Sequence, residues 1–362
     1  PVRVPGFESD AVRLGNSVNG RSRIRPAREC SDFMASVATH NGLFTVISRE
    51  MQEVEDRLQA PVEERAGLLS VVARYALSSG GKRIRPALLL LSAQACGADQ
   101  RERCVMLAAA AEMMHAASLL HDDIVDHAAT RRGNPSAMAR WGSNVSVLVG
   151  DFLFSRAIQN LVEDPDRRIL RAFADAVVAM SEAEVLQLHL LHDLGIGEAD
   201  YLKIITGKTA ALMSAVCRAG ALTADAPDAV VEALAAFGLH LGIGFQLVDD
   251  ALDYVACEER LGKPVGSDFR EGKMTYPVIH VVRHAAPEDR LILGRLAAGE
   301  SPGEDDLAVL RGLVERYEAV PATMRLVDEY LARARAELSL VSKSPACHTL
   351  HRLVDFVRER DW

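Results

Sequence analysis

The 362-residue chain has few aromatics, 5% of the total, and its β-branched runs are short. Alanine and leucine are abundant instead, a composition that favours helices. No two cysteines stand at C-x-x-C spacing. Cys30, Cys96, Cys104, Cys217, Cys257 and Cys347 are scattered. That argues against a zinc site or a disulfide framework and fits a reducing cytoplasm. There is no excess of positive charge. The net charge of −9 argues against nucleic-acid binding as the main task. No apolar run is read as reaching the length of a membrane span. The nearest, "VMLAAAAEMMHAASLL" (105–120), contains Glu112 and His115 and reads as a buried core helix. The N-terminus lacks the apolar core of a signal peptide, and Glu8, Asp10, Glu29 and Asp32 weaken a transit-peptide reading.

With 49% hydrophobic residues, the chain can bury a large core. Residues 1–33, rich in Arg, Ser, Gly and Pro, read as a mobile extension, and 34–362 as one domain. From about 42 onward apolar residues recur at three- and four-residue spacing. Helices are expected at 43–58, 86–97, 104–126, 143–163, 166–194, 198–221, 228–258, 274–284, 304–317, 321–340 and 345–359. Breaks are expected at Gly80-Gly81, Gly133-Asn134-Pro135, Gly195-Ile196-Gly197, Pro227 and Lys263-Pro264. No convincing strand alternation is seen. The reading is a single all-α helical bundle.

Into this apolar background "LLHDDIVDHAATRRG" (119–133) places Asp122, Asp123 and Asp126. On a helix Asp122 and Asp126 share a face, with Asp123 close to Asp126. Like charges so spaced destabilise a helix unless neutralised. A solvated acidic helix end is the plain alternative, weakened by the apolar approach. A second copy decides the matter: "FQLVDDALDY" (245–254) carries Asp249, Asp250 and Asp253 after another apolar helix. Two such clusters facing each other across a bundle interior would hold metal ions between them in a central cavity. Carboxylate oxygens suit Mg²⁺, which completes its shell with water and substrate phosphate.

Basic residues supply the other half. "GGKRIRP" (80–86) sets Lys82, Arg83 and Arg85 on a glycine-led turn, suited to anions although equally an exposed helix start. "TGKT" (206–209) is not a P-loop, because Leu202 stands where the first glycine belongs, yet Lys208 and Thr209 can contact phosphate. Arg131 and Arg132 follow the first acidic cluster; Lys263 and Lys273 follow the second. This is the pattern of a diphosphate held through metal on one side and by Lys/Arg on the other.

From about Phe44 to Phe356 the sequence resembles the trans-polyprenyl diphosphate synthases. The resemblance rests on "GGKRIRP", "LLHDDIVDHAATRRG", "VGDFLFS" (149–155), "ITGKTA" (205–210), "GFQLVDDALDY" (244–254) and "LGKPVGSDFREGKMTYPVI" (261–279). It implies an all-α homodimer joining isopentenyl diphosphate to an allylic diphosphate such as farnesyl or geranylgeranyl diphosphate, with release of pyrophosphate. It implies that Asp122, Asp126 and Asp249 ligate Mg²⁺, with Asp123, Asp250 and Asp253 in support. Arg131, Lys208, Thr209, Gln246 and Lys263 would hold the allylic diphosphate, and Lys82, Arg85, His115 and Arg132 isopentenyl diphosphate. Lys273 could bind phosphate as well. The chain departs from common family patterns at Ala183-Glu184, where Gly-Glu is frequent, and at Asp361-Trp362, where long-chain members often end in a basic residue.

Product length is read from the helix before the first cluster. Ala110, Met114, Ala117 and His121 form one stripe. A helical turn rises about 5.4 Å, similar to one isoprene unit. In short-chain members a bulky aromatic near the position of Ala117 closes the pocket. Here Ala117 and Ser118 are small, and Met113 and Met114 come next. A hexaprenyl-to-decaprenyl product is expected, octaprenyl at the centre, for quinone side chains. Ordinary core packing of this stripe is the alternative.

Three rivals fit less well. A terpene cyclase would mix Asp/Asn with Ser/Thr and Glu in its second motif. An HD-type phosphohydrolase would use His121-Asp122 and leave the second cluster unexplained. A non-catalytic subunit of a heteromeric synthase would usually lack one acidic motif.

Overall fold

A computed structural model describes residues 42–63, 67–78, 82–255, 266–298 and 303–360. The unit they belong to spans Leu43–Trp362. The expected extension 1–33, the break at Gly80-Gly81 and Lys263-Pro264 lie outside the described residues.

Helices run almost without interruption: α1 (Ser48–Glu63), α2 (Leu68–Ser78), α3 (Ile84–Ala95), α4 (Arg101–Val125), α5 (Ala137–Trp141), α6 (Ser143–Val162), α7 (Arg167–His189), α8 (Glu198–Ile205), α9 (Ala211–Thr223) and α10 (Asp228–Val255). The C-terminal part adds α11 (Ser267–Arg270), α12 (Tyr276–His284), α13 (Pro287–Ala297), α14 (Glu304–Arg316), α15 (Ala319–Glu337) and α16 (Pro345–Arg358). The all-α expectation holds.

Four helices escaped the sequence reading: α2, α5, α11 and α13. So did a small hairpin, Thr130–Arg131 against Asn134–Pro135. Its two central residues, Arg132 (φ 51°) and Gly133 (φ 77°), are both left-handed. That is the backbone a two-residue hairpin loop requires. The turn places Arg131 and Arg132 side by side just beyond the first acidic cluster.

α4 lies in the middle of the bundle. It packs along α6, with α3 and α1 on other sides, while α10 is sandwiched between α9 and α15. Alanine is the reason α4 can be surrounded: Ala108 to Ala111 and Ala117 are each fully buried. Small side chains let neighbouring helices approach and keep dispersion contacts dense.

By length and composition alone, α4, α6 and α10 are apolar enough to cross a membrane, which corrects the expectation that no run reaches that length. In α4 and α10, 78% and 61% of the most apolar stretch is buried inside the bundle; in α6 only 33% is. The apolar surface of α6 is therefore largely outward, with Val147, Leu148, Ile158 and Val162 exposed, and α7 adds Val178, Val185 and Leu188.

Candidate active site

The first acidic cluster closes α4. Asp122 and Asp123 occupy its last turn and Asp126 is its C-cap. Asp123 is buried and accepts a hydrogen bond from Arg131 Nε at 2.7 Å. Asp126 Oδ2 accepts from Lys273 Nζ at 2.9 Å, and the same ammonium reaches Glu271 at 2.7 Å. Asp122 has its carboxyl pushed up to about 6, chiefly by burial, with Glu184 and Asp126 adding to the effect and Lys208 and Arg131 opposing it. Lys208 itself pairs with Glu184 at 2.7 Å.

Lys208 owes its position to a π-helical segment, Thr206–Ala210, inserted between α8 and α9. Such a wide turn redirects side chains and occurs often at functional sites. Gly207 lies against the Ala179 carbonyl and the Ala183 methyl of α7, where any Cβ would overlap. The "TGKT" glycine is thus a packing requirement, not a phosphate loop. Ala183, the departure from Gly-Glu, forms the surface Gly207 packs on, and its neighbour Glu184 supplies the carboxylate for Lys208. Glu184 was missed because its signal was read only as a family departure.

The second cluster occupies the last two turns of α10. Asp249 pairs with Arg360 Nη2 at 2.7 Å. Burial raises its carboxyl, while Arg360 and Lys82 oppose the rise. Asp250 is buried and accepts from Tyr201 Oη at 2.6 Å and from Gln246 Nε2 at 2.8 Å. Gln246 Oε1 accepts from the Thr209 hydroxyl at 2.8 Å. Asp253 does not join the metal-facing carboxylates that the sequence suggested. It accepts from the Ser267 amide and hydroxyl and from the Asp268 amide, so it caps α11 and ties the following loop to α10. Its carboxyl is pushed up to about 7 by burial and then by Asp268.

A cavity of about 140 Å³ lies beside the second cluster. Its walls include Lys208, Thr209, Gln246, Asp250, Lys273 and Asp268. Lys273 brings Asp126 to this wall from 147 residues away. Asp268 and Tyr201 are lining residues that sequence reasoning missed.

A separate cationic group stands at the start of α3. Lys82 has its ammonium lowered to about 8, by burial and then by Arg360, with Asp249 opposing. Burial also lowers Arg85, with Arg132 acting in the same direction and Glu112 and Asp249 against it. His115, on α4, is held well below its ordinary value by burial and by Arg85, Arg132, Arg131 and Arg83, so its imidazole is neutral. These mutual effects place Arg85, His115 and Arg132 in one field, while Lys82 answers to Arg360 and Asp249. Arg83 faces the other way: it binds Glu55 at 2.6 Å, Glu112 at 2.7 Å and the Leu77 carbonyl at 2.6 Å. Its left-handed backbone, φ 46°, is held by these three anchors and stands between Lys82 and Arg85 in the chain. The C-terminal segment, with no role assigned from the sequence, brings Arg360 to Asp249 and over the Phe245 ring at 4.1 Å.

The chain-length stripe is the buried face of α4. Ala110 and Ala117 are fully enclosed, with Met113 and Met114 nearly so. Ser118 donates to the His115 carbonyl at 2.9 Å. His121, by contrast, turns to α6. Its ring lies over Gly150, where a Cβ would collide, and approaches Asp151 at 3.5 Å. This accounts for the glycine of "VGDFLFS". Lys263 lies outside the described residues.

Asp122, Asp126 and Asp249 fit a hard divalent cation by donor chemistry. Among the described residues no three His, Cys, Asp or Glu side chains converge closely enough to bind one alone.

Two carboxylate clusters at the ends of long helices, tied to one another's surroundings by Lys273 and flanked by cations, describe an isoprenoid-synthase type of site. The chain belongs to the polyprenyl synthetase family, whose model matches residues 66–311, and it is a prenyltransferase. It is 34% identical over 314 residues to octaprenyl diphosphate synthase of Escherichia coli, covering 87% of this chain and 97% of that protein. It is 36% identical over 294 residues to a short chain isoprenyl diphosphate synthase of Methanothermobacter thermautotrophicus, covering 80% and 89%. Among solved structures, polyprenyl synthase from Caulobacter crescentus, complexed with calcium and isoprenyl diphosphate, superposes with a TM-score of 0.83 at 39% identity, covering 88% of this chain and 97% of that one. Relatives with products this different leave the chain length open.

Proposed function

We propose that this prenyltransferase condenses isopentenyl diphosphate head to tail with an allylic diphosphate, Mg²⁺-dependently, and makes a medium-to-long all-trans product, hexaprenyl to decaprenyl with octaprenyl at the centre. The carrying observation is the division of charge. One cavity is lined by Asp250 of the second cluster with Asp268, Lys208 and Lys273, and Lys273 holds Asp126 of the first cluster; a distinct cationic group gathers Arg85, His115 and Arg132, with Lys82 beside Asp249 and Arg360.

Asp122, Asp126 and Asp249 would hold Mg²⁺, which when bound supplies positive charge to the departing diphosphate. Lys208, Lys273, Gln246 and Arg131 bind and orient the allylic diphosphate. Lys82, Arg85 and Arg132 fix isopentenyl diphosphate, with neutral His115 as a hydrogen-bonding neighbour. The allylic C–O bond breaks, the isopentenyl double bond attacks the allylic carbon, and the proton then lost passes to released pyrophosphate. The chain needs no strong base of its own. The methionines and alanines of α4 exclude water from the carbocation.

Purified protein with Mg²⁺, farnesyl or geranylgeranyl diphosphate and labelled isopentenyl diphosphate should give an elongated, acid-labile product and pyrophosphate. Binding of both substrates with no elongation would rule the reaction out. The outward apolar surfaces of α6 and α7 support a homodimer, checked by light scattering at micromolar protein. We place the protein in the cytoplasm, with its product passed to membranes for quinone side chains; cell fractionation tests this.

A further inference from the structure

Tyr201 is buried at the cavity wall, and the proposed reaction gives it no part. Its hydroxyl donates to Asp250 Oδ2 at 2.6 Å. Asp250 Oδ1 accepts from Gln246 Nε2 at 2.8 Å. Gln246 Oε1 accepts from Thr209 at 2.8 Å. Four residues from α8, α10 and the π-helical segment therefore form one chain of hydrogen bonds along the cavity wall.

The Gln246 amide turns its NH₂ to Asp250 and its oxygen to the Thr209 hydroxyl. An amide has two N–H donors. One is used on Asp250, and the Gln246 side chain lines the cavity. The Thr209 proton is engaged with Gln246, so Thr209 cannot at once donate to a phosphate. Asp250, with both oxygens occupied, is an anchor for the amide and not an open metal ligand.

We propose that Tyr201 is a positioning residue: through Asp250 it sets the orientation of the Gln246 amide, so that the second N–H of that amide is presented to the allylic diphosphate. The inference rests on the proposed reaction for the identity of that diphosphate. Without the Tyr201 hydroxyl the buried Asp250 carboxylate lacks one donor and can rotate toward others, releasing Gln246. Buried networks of this kind are coupled, and loss of one member reaches the far end.

The test pairs Tyr201→Phe, which removes only the hydroxyl, with Thr209→Val at the opposite end. Binding of inorganic pyrophosphate with Mg²⁺ is measured by calorimetry, and both Michaelis constants by kinetics. Tyr201→Phe should weaken pyrophosphate binding and raise the allylic Michaelis constant about fivefold, the scale of one hydrogen bond, leaving that for isopentenyl diphosphate within about twofold. The double variant should bind no worse than Thr209→Val alone, since one broken relay cannot be broken twice. Losses that multiply, or a Tyr201→Phe protein that is less thermostable but binds pyrophosphate normally, would overturn the inference. Pyrophosphate binding does not need turnover. A wild-type protein with Tyr201-dependent binding but no elongation would support the inference while refuting the proposed reaction.

Discussion

Ala117→Phe turns the buried face of α4 into a measuring device. Ala117 is fully enclosed and lies five residues before Asp122, about 7.5 Å along the helix axis. Met114 is eight residues from Asp122, about 12 Å, and Ala110 twelve residues, about 18 Å. If this face lines the path of the growing chain, a phenyl group at 117 stands in the way within the first few isoprene units. The main product should then shorten to farnesyl or geranylgeranyl diphosphate with turnover retained. The alternative, tight core packing, makes a different forecast. Forcing a ring into a filled core typically costs about 1–3 kcal/mol and shortens nothing. The assay is chromatography of the dephosphorylated products beside a thermal melt. A folded, active Ala117→Phe enzyme that still makes the wild-type chain would refute the tunnel.

Three further outcomes are expected. Asp122→Ala or Asp249→Ala should lose more than about tenfold in condensation rate, equivalent to over about 1.4 kcal/mol in the barrier, with circular dichroism unchanged; retention of more than that fraction removes these residues from the metal role. Lys82→Ala and His115→Ala should raise the Michaelis constant for isopentenyl diphosphate more than the allylic one, and Lys208→Ala the reverse; equal effects would undo the division into two substrate sites. Because burial and Arg360 lower the Lys82 ammonium to about 8, its charge is present below that pH and lost above it. The kcat/KM for isopentenyl diphosphate should therefore fall as pH rises through about 8, and Lys82→Arg should move that limb upward, since arginine keeps its proton; an identical profile for the variant would exclude Lys82.

The sequence announced the bundle because its helices bury three- and four-residue stripes, and the acidic clusters because they interrupt those stripes. What it hid were features fixed by tertiary contact. α2 and α13 are short, and Leu68, Val71 and Leu291 remain exposed, so their periodicity is diluted. The hairpin needed left-handed backbone at Arg132, a residue with no turn preference. Asp253 carried the same spacing signal as Asp126, yet Ser267 and Asp268 at the start of α11 take both its oxygens. Arg360 and Glu184 have no local motif at all; each is defined by a partner more than twenty residues away. Tyr201 was invisible for a simpler reason. A buried tyrosine in an apolar helix reads as core until its hydroxyl is seen on Asp250.

The first cluster stands where a helix tolerates negative charge least. The C-terminal end of a helix is the negative end of its dipole, and acidic groups there are destabilising within the last turn. Asp122 and Asp123 occupy the last turn of α4, and Asp126 caps it. Stability alone would select lysine or arginine at these positions. The protein instead supplies those cations from elsewhere: Lys273 to Asp126, Arg131 to Asp123 and Arg360 to Asp249. Three positive side chains from three separate segments thus neutralise these carboxylates. In the proposed reaction Asp122, Asp126 and Asp249 would hold Mg²⁺, which would supply positive charge to the diphosphate, and Lys273, Arg131 and Arg360 would then be available to phosphate oxygens.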